Sequence, residues 1–256
     1  MTSRKYCRSL HSPLSLGTTS DDRFMPSNYL EVFSDFKELV ITEKLDGQNN
    51  CFKKDGVFAR SHVAPTSHPW DVPMRTRWEL IKNDLGNLEL FGENMYGIHS
   101  IQYSRLESYF YVFAAREGDE WLSWDEVKFY SNLFDFPTVP ELSINSNLKD
   151  FSDLDKWIKY NIGYTWEEFT NTSGELGGNS NESPTCEGLV IRNRSEFKTN
   201  NGILNVASNE FDSLFKLVRK DHVKTDVHWT KTWKPSKLIN YEKYKWDYFK
   251  FLNYEK

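Results

Sequence analysis

The sequence predicts an α+β domain built on antiparallel sheets with flanking helices. Three observations predict it. Strand-length apolar runs recur along the chain without strict alternation with helices, Asp55-Gly56 has the chemistry of a tight hairpin turn, and two capping boxes start helices after Ser123 and Thr165.

Residues 39–42 form a short apolar run of strand length. Residues 50–54 and 57–60 flank Asp55-Gly56 as two hairpin arms. With that turn setting the register, Lys54 pairs with Val57, Cys51 with Arg60, and Asn49 with His62 where pairing extends so far. Arg60 then shares a face with Asn49 as a diagonal neighbour, about 7–8 Å away. Residues 88–91 alternate as a strand that runs into a loop at Gly92-Glu93, and residues 109–115 are a dense aromatic and aliphatic strand. Ser123-Trp124-Asp125-Glu126 is a capping box, which predicts a helix from Trp124 to about Leu133. Thr165-Trp166-Glu167-Glu168 is a second one. Residues 171–184, polar and rich in Gly, Ser and Asn, read as a long surface loop inserted into the domain. Strands resume at 186–192 and 213–218.

With 256 residues the chain has room for one large domain or two small ones. Aromatic residues make up 16%, which excludes a solvated, disordered chain. No apolar run approaches the roughly 20 residues that cross a bilayer, and the basic amino-terminal residues have no apolar segment behind them. Cys7, Cys51 and Cys186 are widely spaced and odd in number, so neither a disulfide framework nor a structural zinc is expected, and a reducing, cytoplasmic compartment is. His62 and His68, like His222 and His228, lie six apart, which is not a zinc spacing. The net charge of −5 counts against nucleic-acid binding through bulk electrostatics. It leaves room for local basic surfaces at Arg60, Arg75, Arg77 and Lys82, and at Lys216, Arg219, Lys220 and Lys224.

The most informative stretch is Glu43-Lys44-Leu45-Asp46-Gly47-Gln48-Asn49, directly after the first strand. A lysine is a nucleophile only when neutral, and burial or nearby cations must lower its pKa from about 10.4. A position at the mouth of a sheet suits that need, and Gly47 allows close backbone approach to a phosphate. Taken alone, K-x-D-G is equally a surface Lys/Asp pair in a turn.

The ordered set that follows resembles the covalent nucleotidyltransferase superfamily: ATP-dependent DNA ligases, RNA ligases and mRNA capping enzymes. Lys44-Leu45-Asp46-Gly47 is followed by Ala59-Arg60-Ser61, Phe91-Gly92-Glu93, Tyr111-Val112-Phe113, Glu187-Gly188-Leu189-Val190-Ile191-Arg192 and Phe215-Lys216-Leu217-Val218-Arg219. The finer likeness is to the RNA ligase branch. Asn49 stands five positions after Lys44, and Gly92-Glu93-Asn94 with His99-Ser100-Ile101-Gln102-Tyr103 is similar to that branch's stretches. So are residues 16–23 before the nucleophile and 222–229 after the last motif.

The resemblance implies an adenylyltransferase domain over residues 39–230, with the loop insertion 171–184. An amino-terminal extension, 1–38, would pack on it. An aromatic and basic tail or helix, 231–256, would follow. Here the chain departs from the family, most of whose members add a second module such as an OB fold: the residues before Leu39 and after Trp229 are too few for one, so no separate OB domain is expected. That tail interleaves aromatics with lysines, which suits either a stacking surface for nucleic acid or, the favoured reading, a helix packed on the domain. The resemblance further implies ATP and Mg²⁺ (or Mn²⁺) as cofactors, RNA ends or nicks as the partner, no membrane, and a monomer. Lys44 would attack the α-phosphate, with Lys216 and Arg60 against the phosphate and Arg219 as an additional contact. Glu93 would contact the ribose, and Glu187 the phosphate and metal. Phe113 would stack on adenine, Glu43 would read its amine, and Asn49 completes the site. A DNA ligase, or a module of the same fold that binds RNA ends or nucleotide without sealing, remains the alternative.

Overall fold

Alternation along a single strand, residues 38–44, separates the two sides of the first sheet. Leu39 and Ile41 pack with Trp157, Ile158 and Phe33 under helices, while Val40 packs with residues of the second sheet. The computed structural model describes residues 5–60, 64–146, 148–149, 153–178, 186–221 and 229–239. The chain opens with β1 (Arg8–His11) and helix α1 (Tyr29–Asp35), then passes through β2 (Glu38–Lys44), β3 (Gln48–Lys53) and β4 (Gly56–Ala59). Helix α2 (Val72–Ile81) leads to β5 (Leu88–Asn94), β6 (Phe110–Glu117) and the short β7 (Glu120–Trp121). Then come α3 (Trp124–Leu133), β8 (Glu141–Ser146), α4 (Leu154–Ile162) and α5 (Trp166–Thr170). Strands β9 (Gly188–Asn193), β10 (Phe197–Lys198) and β11 (Glu210–Val218) complete the sheets.

One sheet has the order β1-β11-β9-β2-β8, the other β10-β7-β6-β5-β3-β4. Among the described residues only the β1/β11 ladder is parallel. The class is the antiparallel α+β one that the sequence predicts. Helices α4 and α5 cover the outer face of the first sheet, where Leu154, Trp157 and Ile158 form one buried stripe at helical spacing. Helices α2 and α3 cover the second sheet through Met74, Ile81, Trp124 and Val127. Between the sheets lies a smaller cluster of Phe58, Phe91, Trp121, Phe197, Phe211 and Leu214. Both capping boxes form as predicted, Ser123 with Glu126 and Thr165 with Glu168.

Three expectations change. The hairpin register is Asn50↔Ala59, Cys51↔Phe58, Phe52↔Val57 and Lys53↔Gly56, two residues away from the predicted one. The turn is made by Lys54 and Asp55, and Gly56 begins the second arm at φ +148°, where an added Cβ would stand 2.9 Å from Pro65. A slip of two keeps every side chain on its face, so Arg60 still lies on the side of Asn49, now directly across from it. Gly92 and Glu93, expected in a loop, are inside β5. The segment from residue 171 is also more than a surface loop in its described part. The Arg105 N–H donates to the Leu176 carbonyl (2.9 Å), and Leu176 packs on the second sheet's core.

Residues 8–11, part of the expected amino-terminal extension, are the edge strand of the first sheet. Residues 229–239 cross to the second sheet, where the Ile98 N–H donates to the Lys234 carbonyl and the Ser236 N–H to the Tyr96 carbonyl. The aromatic and basic stretch 241–252, His62, and His222 with His228 lie outside the described residues. Cys7, Cys51 and Cys186 are free thiols. Among the described residues no helix is long and apolar enough to cross a membrane.

Candidate active site

Lys44-Leu45-Asp46-Gly47 is the crossing from the first sheet to the second: Lys44 ends β2 and Gln48 begins β3. The crossing is pinned at every residue. Leu45 is buried in the second sheet's core, and Asp46 accepts the N–H groups of Ser100 (2.8 Å) and Ile101 (2.9 Å). The Asp46 N–H donates to the Tyr103 hydroxyl at 2.8 Å, and the Gly47 N–H to Glu93 Oε1 at 3.1 Å. An added Cβ on Gly47 would stand 2.6 Å from the Asn94 carbonyl oxygen, so the glycine serves the close approach of β3 to β5. The stretch from His99 to Tyr103 thereby acquires a physical task, which is to hold the backbone that follows Lys44 still.

Lys44 Nζ donates to Glu187, 2.8 Å from each carboxylate oxygen. Glu187 immediately precedes β9, in which Gly188 is paired with Lys44. Burial works against the charge on Lys44, but the carboxylates of Glu187, Glu93 and Asp46 outweigh it, and the pKa is raised above the ordinary lysine value. The pKa of Lys44 is thus not lowered as a neutral nucleophile would require: three carboxyl groups converge on it and favour the ammonium form. Burial pushes Glu93 up to about 8 and Asp46 up to about 7, with Glu187 adding to both. Lys216 is lowered to about 8 by burial and then by Lys44.

These shifts have a stability consequence. A carboxyl whose folded pKa lies above its unfolded value stabilises the fold most below the unfolded pKa, and that contribution is lost as pH rises through the folded value. Glu93 and Asp46 therefore make the metal-free protein less stable between pH 5 and pH 8.5. Thermal melts in chelator should fall by several degrees across that range, since ~1 kcal/mol moves the midpoint of a domain this size by about 2–4 °C. Glu93→Gln should flatten the slope; a midpoint that rises towards pH 8.5 in the parent would contradict the assignment.

The inner faces of the two sheets enclose a cavity of about 510 Å³. The first sheet contributes Lys44, Val190 and Lys216 to its lining, and the second Asn49, Arg60, Glu93 and Phe113. Asn49 is paired across from Glu93 in β5, and on its other side its carbonyl accepts the Arg60 N–H at 3.2 Å. These three residues form one row along the cavity wall. Phe113 is the extra residue of a bulge: Phe91 pairs with Ala114 and Gly92 with Val112, leaving Phe113 without a partner in β5. With Val139 and Val190 also in the lining it forms an apolar compartment suited to a flat ring. The side-chain oxygens Gln48 Oε1, Asn49 Oδ1 and Glu43 Oε1 are buried with no hydrogen-bond partner, as acceptors awaiting a donor would be.

Two predicted residues stand apart. The Arg219 guanidinium donates to the Cys186 carbonyl at 2.6 Å and to the Lys220 and Asp221 carbonyls, outside the cavity lining. Glu43 is at the cavity's edge, but its carboxylate accepts the Glu175 N–H at 2.7 Å, and burial raises its pKa to about 7. Sequence reasoning also missed the surroundings of Lys216. Asp22 lies 3.9 Å from its Nζ and 3.2 Å from His11 Nε2, while His11 Nδ1 is 2.7 Å from Ser15 Oγ. The signal was present in residues 16–23, which carry family likeness but no evident chemistry of their own.

Among the described residues no group of three or more His, Cys, Asp or Glu could hold a metal by itself. Mg²⁺ is commonly bound by one or two carboxylates together with substrate phosphates and water. The hard oxygens of Glu187, beside the cavity, fit that donor set.

The family model for RNA ligase matches residues 37–218. A comparison with curated proteins returned no match. Among solved structures, an archaeal ATP-dependent RNA ligase has a TM-score of 0.50 and 15% identity, covering 84% of this chain and 48% of that one. A Naegleria gruberi RNA ligase with ATP and Mn has a TM-score of 0.45 and 15% identity, covering 84% of this chain and 59% of that one. An apo form of the Naegleria gruberi enzyme has a TM-score of 0.46, with 14% identity and coverage of 84% and 59%. The chain thus spans about half to three-fifths of the length of these structures, and the archaeal likeness concerns the fold.

Proposed function

The chain belongs to the RNA ligase family, matched over residues 37–218, and from that premise we propose that it is an ATP-dependent ligase joining a 5′-phosphate to an RNA 3′-hydroxyl. The observation that carries the reading is Lys44, held at the crossing between two sheets by Glu187 and sharing one cavity with the cations Lys216 and Arg60. In the first step neutral Lys44 Nζ attacks the α-phosphate of ATP. A N–P bond forms, the bond to pyrophosphate breaks, and the lysine proton leaves to solvent. In the second, an oxygen of the 5′-phosphate takes the AMP and frees Lys44. In the third, the 3′-hydroxyl attacks the adenylylated phosphate and AMP departs.

Phosphoryl transfer depends mainly on positioning and on cations at the charged oxygens. Lys216 and Arg60 supply the cations from opposite sheets. Phe113 stacks on adenine, and Asn49 and Glu93 meet the ribose. Glu43 meets the exocyclic amine when its free oxygen turns to the base, and Arg219 has a structural role beneath the site. Glu187, as the metal-holding residue, would bind Mg²⁺ or Mn²⁺, which when bound supplies positive charge at the phosphate oxygens. Lys44 becomes nucleophilic as the Glu187 oxygens are drawn away from it, because they are what holds its proton. We carry the protein as a monomer, and a reducing compartment suits the free thiols of Cys7, Cys51 and Cys186.

The test uses matched nicked duplexes whose 3′-hydroxyl strand ends in ribo- or deoxyribonucleotides. A ribose 2′-hydroxyl both donates and accepts, so a polar site can select it. Sealing should be efficient with the RNA terminus and poor with the DNA one. Equal sealing of both would make the protein a general polynucleotide ligase, and labelling by ATP without sealing would make it a non-sealing module.

A further inference from the structure

Past Arg60 the nucleotide cavity meets a second, larger one of about 830 Å³, and Tyr6, Cys7 and Arg60 line both. Its walls come from the amino-terminal segment, the β6–β7 turn, β10 and the approach to β11, none of which the three steps use. Lys5, Arg8, Arg60 and Lys198 line it, against the single carboxylate of Asp119. Arg116 also reaches the wall, but its guanidinium is engaged by Glu89. In a protein of net charge −5, this wall is a local reversal of sign. Such a reversal is the electrostatic footprint of a polyanion.

Position selects which polyanion. The 5′-phosphate must reach the AMP beside Lys44 and Arg60, and the second cavity begins at Arg60. The 3′-hydroxyl must approach the same phosphorus in line with the departing AMP, from the far side. We propose that this basic groove is the track for the phosphodiester backbone of the strand that carries the 5′-phosphate. The inference rests on the ligase reading and adds to it a substrate strand and its path.

The test is the double variant Lys5→Ala/Lys198→Ala. Both side chains are exposed and belong to no step of the reaction. Lysyl-AMP formation from ATP should match the parent. Affinity for a nicked duplex should fall about 10-fold at low salt, and the slope of log affinity against log salt should lessen by about 1.5–2, as for two lost phosphate contacts. Methylphosphonate linkages behind the 5′-phosphate should weaken the parent as much as the substitutions do, and weaken the double variant little further. Unchanged affinity and slope would overturn the proposal. So would the same loss from methylphosphonates placed in the 3′-hydroxyl strand, or a raised KM for ATP, which would give the groove to the triphosphate. A parent that forms lysyl-AMP yet binds no duplex would instead mark failure of the ligase reading itself.

Discussion

Lys44→Ala protein mixed with labelled ATP and Mg²⁺ acquires no AMP, a loss of at least ~10⁴-fold, the scale on which removing a covalent nucleophile acts. The fold survives, because Leu45, Asp46 and Gly47 do the anchoring through the core, the Ser100 and Ile101 N–H groups and Glu93. Lys44→Arg keeps a cation against Glu187 and fails equally, since guanidinium is never usefully deprotonated. The two variants separate in their melts. Without a cation Glu93 and Asp46 lose the group that lowers their pKa values, so Lys44→Ala should melt below Lys44→Arg at pH 8 and closer to it at pH 5. Phosphoramidate formation is read by acid-labile label on the protein. A Lys44→Ala protein that still takes up label would end the assignment.

Glu187→Ala loses adenylylation by about 10²–10³-fold, the range seen when one group aimed at developing charge is removed, while Glu187→Asp retains much more. Breaking a buried ion pair ordinarily costs about 3–5 kcal/mol, because a charge is left alone. Here Glu93 and Asp46 remain around Lys44 and lose a repulsive neighbour, so the melting temperatures of the two variants should stay close. The pH profile supplies an independent sign. Glu187 is the foremost carboxylate holding the Lys44 proton, so residual activity in Glu187→Gln should rise with pH from a lower starting point than in the parent. A large fall in melting temperature for Glu187→Ala alone would make the carboxylate structural.

The class of fold, both capped helices and the collinear family motifs were legible in the sequence because each rests on local chemistry: alternation, Ser123 and Thr165 caps, and motifs of adjacent residues. What was not legible depends on how distant strands meet. The two-residue slip of the hairpin sets Gly56 in the second arm beside Pro65, and the placing of Phe113 follows from a bulge across from Phe91 and Gly92. Arg219 shows the same limit. It stands three residues after Lys216, just past the end of β11, and its guanidinium is taken up by carbonyls of the chain. The raised pKa of Lys44 could not be foreseen either, since two of its three carboxylates come from other strands or loops far along the chain.

Lys44 and Glu187 are 143 positions apart, and Lys216 comes later still. The strand that carries Lys216 lies between β1 and β9, so the first sheet is incomplete until this last described strand has been made. Pairings over such separations are the slow events of folding, on the scale of milliseconds to seconds. Competence to take up AMP therefore works as a clock for that process: a chain halted on the ribosome before residue 218 stays unlabelled, and a refolding chain becomes labelled only when its final strand docks.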